Sequence, residues 1–95
     1  MANSASYTVY TDKEELDPPY PNPTRGMVTI PWNVSLGNFD VYVYNVNYEF
    51  QFKKSFDAEE ESPKIDLGGL RKGTYIVVVE GDELYYREQY KIIVE

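Results

Sequence analysis

Carboxylates are the most abundant side chains in this sequence that could take part in chemistry. Sixteen Asp and Glu residues, against nine Lys and Arg residues, give a formal net charge of −7. The densest cluster lies in the acidic run Asp57–Ser62 and consists of Asp57, Glu59, Glu60 and Glu61. It lacks the interleaved glycine and the ligand spacing of a calcium loop, and a domain of this size has little room for a hydrolytic cleft. We interpret the run as a solvated loop.

Other catalytic arrangements lack essential residues. The sequence contains no histidine and no cysteine, which excludes a Ser-His-Asp triad and thiolate chemistry and removes the commonest metal ligands. Gly68, Gly69 and Gly73 do not form a phosphate-binding loop, because the required Lys and Ser/Thr are missing at the right spacing. The sequence therefore predicts a protein that is not an enzyme and that uses no cofactor and no metal.

Aromatic residues suggest binding instead of catalysis. The chain has ten Tyr, four Phe and one Trp. Trp32, Tyr42 and Tyr44, together with Tyr48 and Tyr85, could form a flat platform for sugars or for a protein partner. Cross-strand packing on the second face of a sheet is the other interpretation, and the one we favour.

Charge and hydropathy exclude two classes of partner. The acidic balance argues against nucleic acid, whose binding needs clustered Lys and Arg. No stretch approaches the roughly 18 apolar residues of a membrane span, so we expect no membrane insertion. Residues 1–10 lack the basic start and apolar centre of a signal peptide, so any export signal is expected to lie on a longer precursor or to have been removed.

The sequence has room for one small core, built from strands. A chain of 95 residues forms one domain, and its many Tyr, Val and Ile residues suit a pleated sheet. Four prolines between Asp17 and Pro23 cannot lie inside a sheet. We therefore expect a tail or linker over residues 1–19, with room for one short strand at Tyr7–Thr11, and a β-sandwich domain over residues 20–95.

Alternation of apolar and polar residues places the strands. Phe39, Val41 and Val43 alternate with polar positions, and a turn after Asn45 leads into a second strand containing Phe50 and Phe52. The predicted strands are Met27–Ile30 with an irregular continuation over Trp32–Leu36, Phe39–Asn45, the strand of Phe50 and Phe52, Lys64–Leu67, Tyr75–Glu80 and a final strand ending at Val94.

Gly81-Asp82 is a pair suited to a two-residue hairpin turn. With that turn, Val79 faces Leu84, Val77 faces Tyr86, and Tyr75 faces Glu88. The predicted core side of the final strand consists of Leu84, Tyr86, Tyr90, Ile92 and Val94. Glu88 breaks this pattern, and we predict a bulge or bend there because an unpaired carboxylate facing an apolar layer is costly.

About six to seven short strands with frequent turns predict an all-β, antiparallel, immunoglobulin-like β-sandwich. The stretch Leu70–Tyr75 resembles a tyrosine corner, in which a Tyr hydroxyl at the start of a late strand bonds back to the preceding loop. The alternative is that Tyr75 is an ordinary core residue.

Four segments stand out in order along the chain: Tyr20–Gly26, Val41–Asn47, the pair Ile65–Leu70 and Lys72–Val77, and the closing Lys91–Val94. Together they resemble the C-terminal sorting domains of the type IX secretion system of Bacteroidetes. The sequence departs from the family pattern at Tyr48, where glycine is usual. The resemblance implies a non-catalytic signal recognised by the outer-membrane secretion machinery and by surface-attachment proteins. It also implies cargo that passes through the periplasm and is secreted or held at the cell surface. The alternative function is that of an accessory carbohydrate- or protein-binding β-sandwich of a surface protein.

The closing strand supplies the candidate recognition residues. Ile92 and Val94 are predicted to point inward, and Lys91 and Ile93 outward on an edge strand, where a partner could add a strand. We therefore predict, as a hypothesis, that Lys91 and Ile93 contribute to partner recognition, together with Gly73 and Tyr75 of the family segment. The alternative is that this strand is purely structural.

Overall fold

The computed structural model describes residues 16–82 and 86–95 of the chain. The predicted short strand at Tyr7–Thr11 lies outside the described residues, as do Leu84 and Tyr85.

Six described strands form two antiparallel sheets, which confirms the predicted all-β fold. The smaller sheet pairs β1 with β4, and the larger sheet has the order β3-β2-β5-β6. The irregular segment after β1 contains a short 3₁₀ turn at Val34–Leu36. The strands are β1 Met27–Thr29, β2 Phe39–Asn45, β3 Phe50–Phe56, β4 Lys64–Asp66, β5 Gly73–Gly81 and β6 Arg87–Val94.

The core lies between the two sheets, where the predicted alternation is confirmed. Val41 of β2 and Val77 of β5 are fully buried in the same cluster as Val28 of β1 and Ile65 of β4. Burying each such side chain stabilises the fold by about 1.5–3 kcal/mol. Only the alternate positions of each strand supply this cluster, which fixes one face of the larger sheet as its core face.

The hairpin between β2 and β3 contains a bulge that the alternation did not predict. Val43 pairs with Phe52 and Tyr44 with Phe50, so Gln51 is an extra residue in β3. A one-residue shift sends flanking side chains to opposite faces. Phe52 therefore packs against the core, whereas Phe50 lies on the outer face and is 58% exposed.

The turn of this hairpin holds Tyr48 in the left-handed conformation, with φ at 61°. Its amide donates to the Asn45 carbonyl, and the Asn45 side-chain oxygen accepts hydrogen bonds from the amides of Asn47 and Glu49. Glycine adopts such a φ without steric cost and a residue with a side chain rarely does, so glycine would be favoured at this position.

The predicted two-residue turn at Gly81-Asp82 is wrong, and so is the register derived from it. Val79 pairs with Glu88, and Val77 pairs with Tyr90. Gly81 is the last residue of β5 and its amide donates to the Tyr86 carbonyl, so the pairing includes Gly81 and is not closed by a two-residue turn at Gly81-Asp82. Gly81 provides space instead: a Cβ on it would meet a Trp32 ring carbon at 3.3 Å.

The predicted core side of β6 is confirmed for Tyr86, Ile92 and Val94, which are buried, and Tyr90 packs against the core from a half-buried position. The bulge predicted at Glu88 is absent, since pairing with β5 is continuous along β6. Glu88 is only half-buried, so its carboxylate is not sealed inside an apolar layer and no backbone irregularity is needed.

The tyrosine corner is confirmed. The Tyr75 hydroxyl donates to the Arg71 carbonyl over 2.6 Å, and the ring is buried. Gly73 begins β5 with φ at 149°, a conformation that side-chain-bearing residues rarely adopt. The corner and the packing of two antiparallel sheets are the features predicted for an immunoglobulin-like sandwich.

Candidate functional site

The outer face of the larger sheet holds residues of the proposed aromatic platform and of the proposed partner-recognition set. Tyr44 of β2 pairs with Ile76 of β5, and Ile76 pairs in turn with Lys91 of β6. The three side chains therefore lie in one row. Tyr42 and Ile93 lie two positions from this row on the same face, because side chains alternate along a strand. Two of the proposed platform residues and two of the proposed recognition residues therefore share one surface.

The centre of this outer face is apolar. Ile76 is 3% exposed and Val78 is 2% exposed, although both point away from the core between the sheets. Phe50 and Ile93, at opposite margins of the face, remain exposed. The outer face is thus a second, smaller apolar layer with accessible margins.

The tyrosines on this face pack against their neighbours at steep angles. The Tyr44 ring lies 6.3 Å from that of Tyr48, tilted by 49°, and 6.0 Å from that of Phe50, tilted by 66°. The Tyr48 hydroxyl accepts a hydrogen bond from Gln89. Lys53 lies 5.4 Å from the centre of the Tyr42 ring. These rings form cross-strand contacts and not a coplanar platform.

Trp32 is not part of this group. Its ring stacks on Phe39 at 4.1 Å and meets Tyr86 edge-on at 5.2 Å, both of which belong to the core between the sheets. Its indole N–H donates to the Gly37 carbonyl. The structure therefore places Trp32 on the opposite side of the larger sheet from Tyr42 and Tyr44.

β6 is an edge strand, as predicted, but part of its edge is covered. The side-chain amide of Asn22 donates to the Lys91 carbonyl over 2.8 Å and accepts from the Ile93 amide over 2.9 Å. Thr24 then bonds through its own backbone to the Ile93 carbonyl and the Glu95 amide. The prediction of an open backbone along Lys91–Val94 is wrong from the Lys91 carbonyl onward, because the chain's own entry segment, residues 20–26, already occupies the edge there.

This entry segment also reaches the smaller sheet. The backbone of Tyr20 exchanges two hydrogen bonds with Thr29, at the end of β1. Its peptide bonds before Pro21 and Pro23 are both cis. Sequence reasoning missed the role of Asn22, although one signal was available: prolines on both sides leave a side-chain amide as the main donor in that stretch.

The remaining recognition candidates have different surroundings. Gly73 is exposed at the start of β5, where it pairs with Val94. Tyr75 is 7% exposed and its hydroxyl is engaged with Arg71, so its position favours a structural contribution over direct contact with a partner. Lys91 is exposed, and Ile93 is 45% exposed.

The acidic run lies in an exposed loop, as predicted. Asp57, Glu59, Glu60 and Glu61 are all exposed. Within residues 16–82 and 86–95, no group of three or more acidic residues is arranged to hold a metal ion. The same residues contain no helix long and apolar enough to cross a membrane.

Comparison with known families identifies a match over most of the chain. A family model described as a secretion system C-terminal sorting domain matches residues 19–95. No curated protein and no solved structure matches the chain.

Proposed function

Because this chain belongs to the family of secretion system C-terminal sorting domains, we propose that it acts as a sorting signal that directs cargo through the type IX secretion machinery. The observation that carries the proposal is the family match, which extends over residues 19–95 and so includes every described strand.

In this proposal the domain has no catalytic activity of its own. Recognition is assigned to the outer-membrane secretion machinery, and later handling to surface-attachment proteins. The cargo passes through the periplasm and ends at the cell surface or outside the cell. The folded unit is residues 20–95, with residues 1–19 as a tail or linker, although Leu16 already packs against the core.

The recognition residues proposed are the accessible side chains of Lys91 and Ile93. Both are exposed, and both lie on the outer face beside an apolar centre. Gly73 and Tyr75 contribute to recognition indirectly, because the corner that they form holds the start of β5 opposite the end of β6. We do not propose glycan binding, since the steep angles between the rings of Tyr44 and its neighbours do not favour stacking on a sugar.

An export assay tests the proposed function. A periplasmic reporter is fused to the N-terminal side of the whole chain and expressed in a host with a working type IX system. The expected result is reporter outside the outer membrane, with periplasmic retention in an isogenic strain that lacks the secretion pore. A reporter that stays in the periplasm of the competent host, although the fused domain is folded, would overturn the proposal.

A further inference from the structure

The part of the β6 edge that Asn22 leaves uncovered is a short, well-defined stretch of backbone. The Lys91 carbonyl and both backbone groups of Ile93 point away from β5, toward the entry segment. Because backbone groups alternate in direction along a strand, those of Arg87 and Gln89 and the amide of Lys91 point the same way. None of these has a hydrogen-bond partner among the described residues.

The open stretch therefore runs from Arg87 to Lys91 and ends where the Asn22 side chain begins. Its intervening residues direct their backbone toward β5, with which they pair in register. A row of unpaired amides and carbonyls on an edge strand is a template for one more strand. The Asn22 amide limits the length of that strand, since it occupies the next position along the edge.

The charges beside this stretch identify the kind of strand that fits. Arg87 and Lys91 lie four residues apart, and their side chains emerge on the same outer face. Glu80 contacts Arg87 at 3.7 Å with both side chains substantially exposed, so it offsets that charge only weakly. No carboxylate among the described residues lies within ion-pair distance of Lys91. An added strand would be stabilised by carboxylates opposite both cations.

The same charges argue against a second copy of this chain as the source of the added strand. An antiparallel pair of β6 edges centred on Gln89 would place Arg87 of each copy opposite Lys91 of the other. Like charges directly opposite each other destabilise a sheet. The other edge of the sheet, β3, carries Lys53 and Lys54, so pairing β6 with β3 of another copy also brings cations together.

We propose that Arg87–Lys91 is a strand-addition site for an extended acidic segment of a partner protein, with carboxylates at two positions four residues apart. The inference rests on the proposed function, because it names how a partner of the sorting domain would engage it. The partner is defined by chemistry alone: an unpaired strand with alternating side chains, acidic on the face that meets Arg87 and Lys91.

Two capped seven-residue peptides test the binding directly. The first has the sequence Glu-Val-Thr-Val-Glu-Val-Thr, whose first residue can lie opposite Lys91 without reaching Asn22, and the second replaces both glutamates with lysine. Each is titrated into the ¹⁵N-labelled whole chain while amide exchange is followed by NMR. The acidic peptide should slow exchange at the amides of Arg87, Gln89 and Lys91. It should bind about tenfold more tightly than the lysine peptide, since each cross-strand charge pair contributes several tenths of a kcal/mol.

Matched proline variants identify the edge. Gln89→Pro removes one outward amide from the middle of the site, and a proline is tolerated at such an edge position. Ser55→Pro is the control, because Ser55 occupies the equivalent outward position on β3. Gln89→Pro should abolish binding of the acidic peptide, and Ser55→Pro should retain it. Lys91→Glu leaves the backbone intact and should remove the preference between the peptides, because each peptide then faces one like and one opposite charge.

The proposal is overturned if neither peptide protects those three amides, if both bind equally, or if the two proline variants, both folded by circular dichroism, lose binding together. If Gln89→Pro fails to fold, Lys91→Glu is the deciding variant. An unchanged preference of this variant for the acidic peptide over the lysine peptide contradicts the site. The titration uses no secretion machinery. A failed export assay would therefore contradict the sorting function alone, and a failed titration would contradict the strand-addition site alone.

Discussion

Replacing Tyr75 with phenylalanine removes one hydroxyl from the start of β5 and keeps the buried ring. In the folded chain this hydroxyl donates to the Arg71 carbonyl at 2.6 Å. The substitution therefore separates a tyrosine corner from an ordinary core tyrosine, whose hydroxyl would contribute little.

The expected loss follows from the surroundings of that bond. A neutral hydrogen bond contributes about 0.5–1.5 kcal/mol net to stability. Arg71 is exposed, so water can reach the region of its carbonyl when the hydroxyl is gone, which keeps the loss near the middle of that range. With a urea dependence of about 1.5 kcal/mol per molar for a domain of this size, a loss of about 1 kcal/mol lowers the midpoint by about 0.7 M.

Urea unfolding followed by circular dichroism measures this shift. Tyr44→Phe is the matched control, because the Tyr44 hydroxyl makes no hydrogen bond among the described residues and its ring contacts persist. We expect the control to change stability by less than about 0.3 kcal/mol, within the usual range for such surface changes. If Tyr75→Phe unfolds at the same urea concentration as the control, the corner hydrogen bond does not stabilise this fold.

Three further substitutions test the core face, the packing around Gly81 and the entry segment. Val77→Ala, at a fully buried position, should cost about 1–3 kcal/mol in urea unfolding, and an unchanged midpoint would refute the assigned core face. Gly81→Ala should cost about 1–3 kcal/mol and shift the fluorescence of Trp32, the single tryptophan, because the new Cβ crowds its ring; an unaltered spectrum would argue against that contact. Asn22→Ala should speed amide exchange at Ile93 about five- to tenfold, and equal exchange would rule out the side-chain bond.

Much of the fold could be predicted from sequence because its signals are local. The alternation from Phe39 to Asn45 depends only on which side chains are apolar, and it gave the correct core face. The corner at Tyr75 was predictable for a similar reason: donor and acceptor lie four residues apart.

The features that were missed depend on contacts between distant residues. Gly81 was interpreted as a turn residue, but its lack of a side chain makes room for Trp32, far away in sequence. The bulge at Gln51 reverses the faces of its neighbours, and nothing in the alternation of Phe50 and Phe52 indicated it. Asn22 reaches a strand about seventy residues further on, a distance over which local patterns carry no information.

The candidate recognition residues were predictable only in part. The alternation of side chains along β6 correctly predicted that Lys91 and Ile93 lie on the outer face, because Ile92 and Val94 are apolar and buried. Whether the backbone beside them is open could not be predicted, since that depends on where the entry segment crosses β6.

The most direct measurement is the fraction of reporter exported by a fusion that carries Lys91→Gln and Ile93→Ser. The matched control carries Lys53→Gln and Phe50→Ser, an exposed cation and an exposed apolar residue on the β3 side of the same sheet. Both double variants should keep Tm within a few degrees of the unaltered chain, since all four side chains are exposed. We predict that export falls several-fold for the β6 pair and is unchanged for the β3 pair. Equal, undiminished export by both folded variants would contradict recognition through β6.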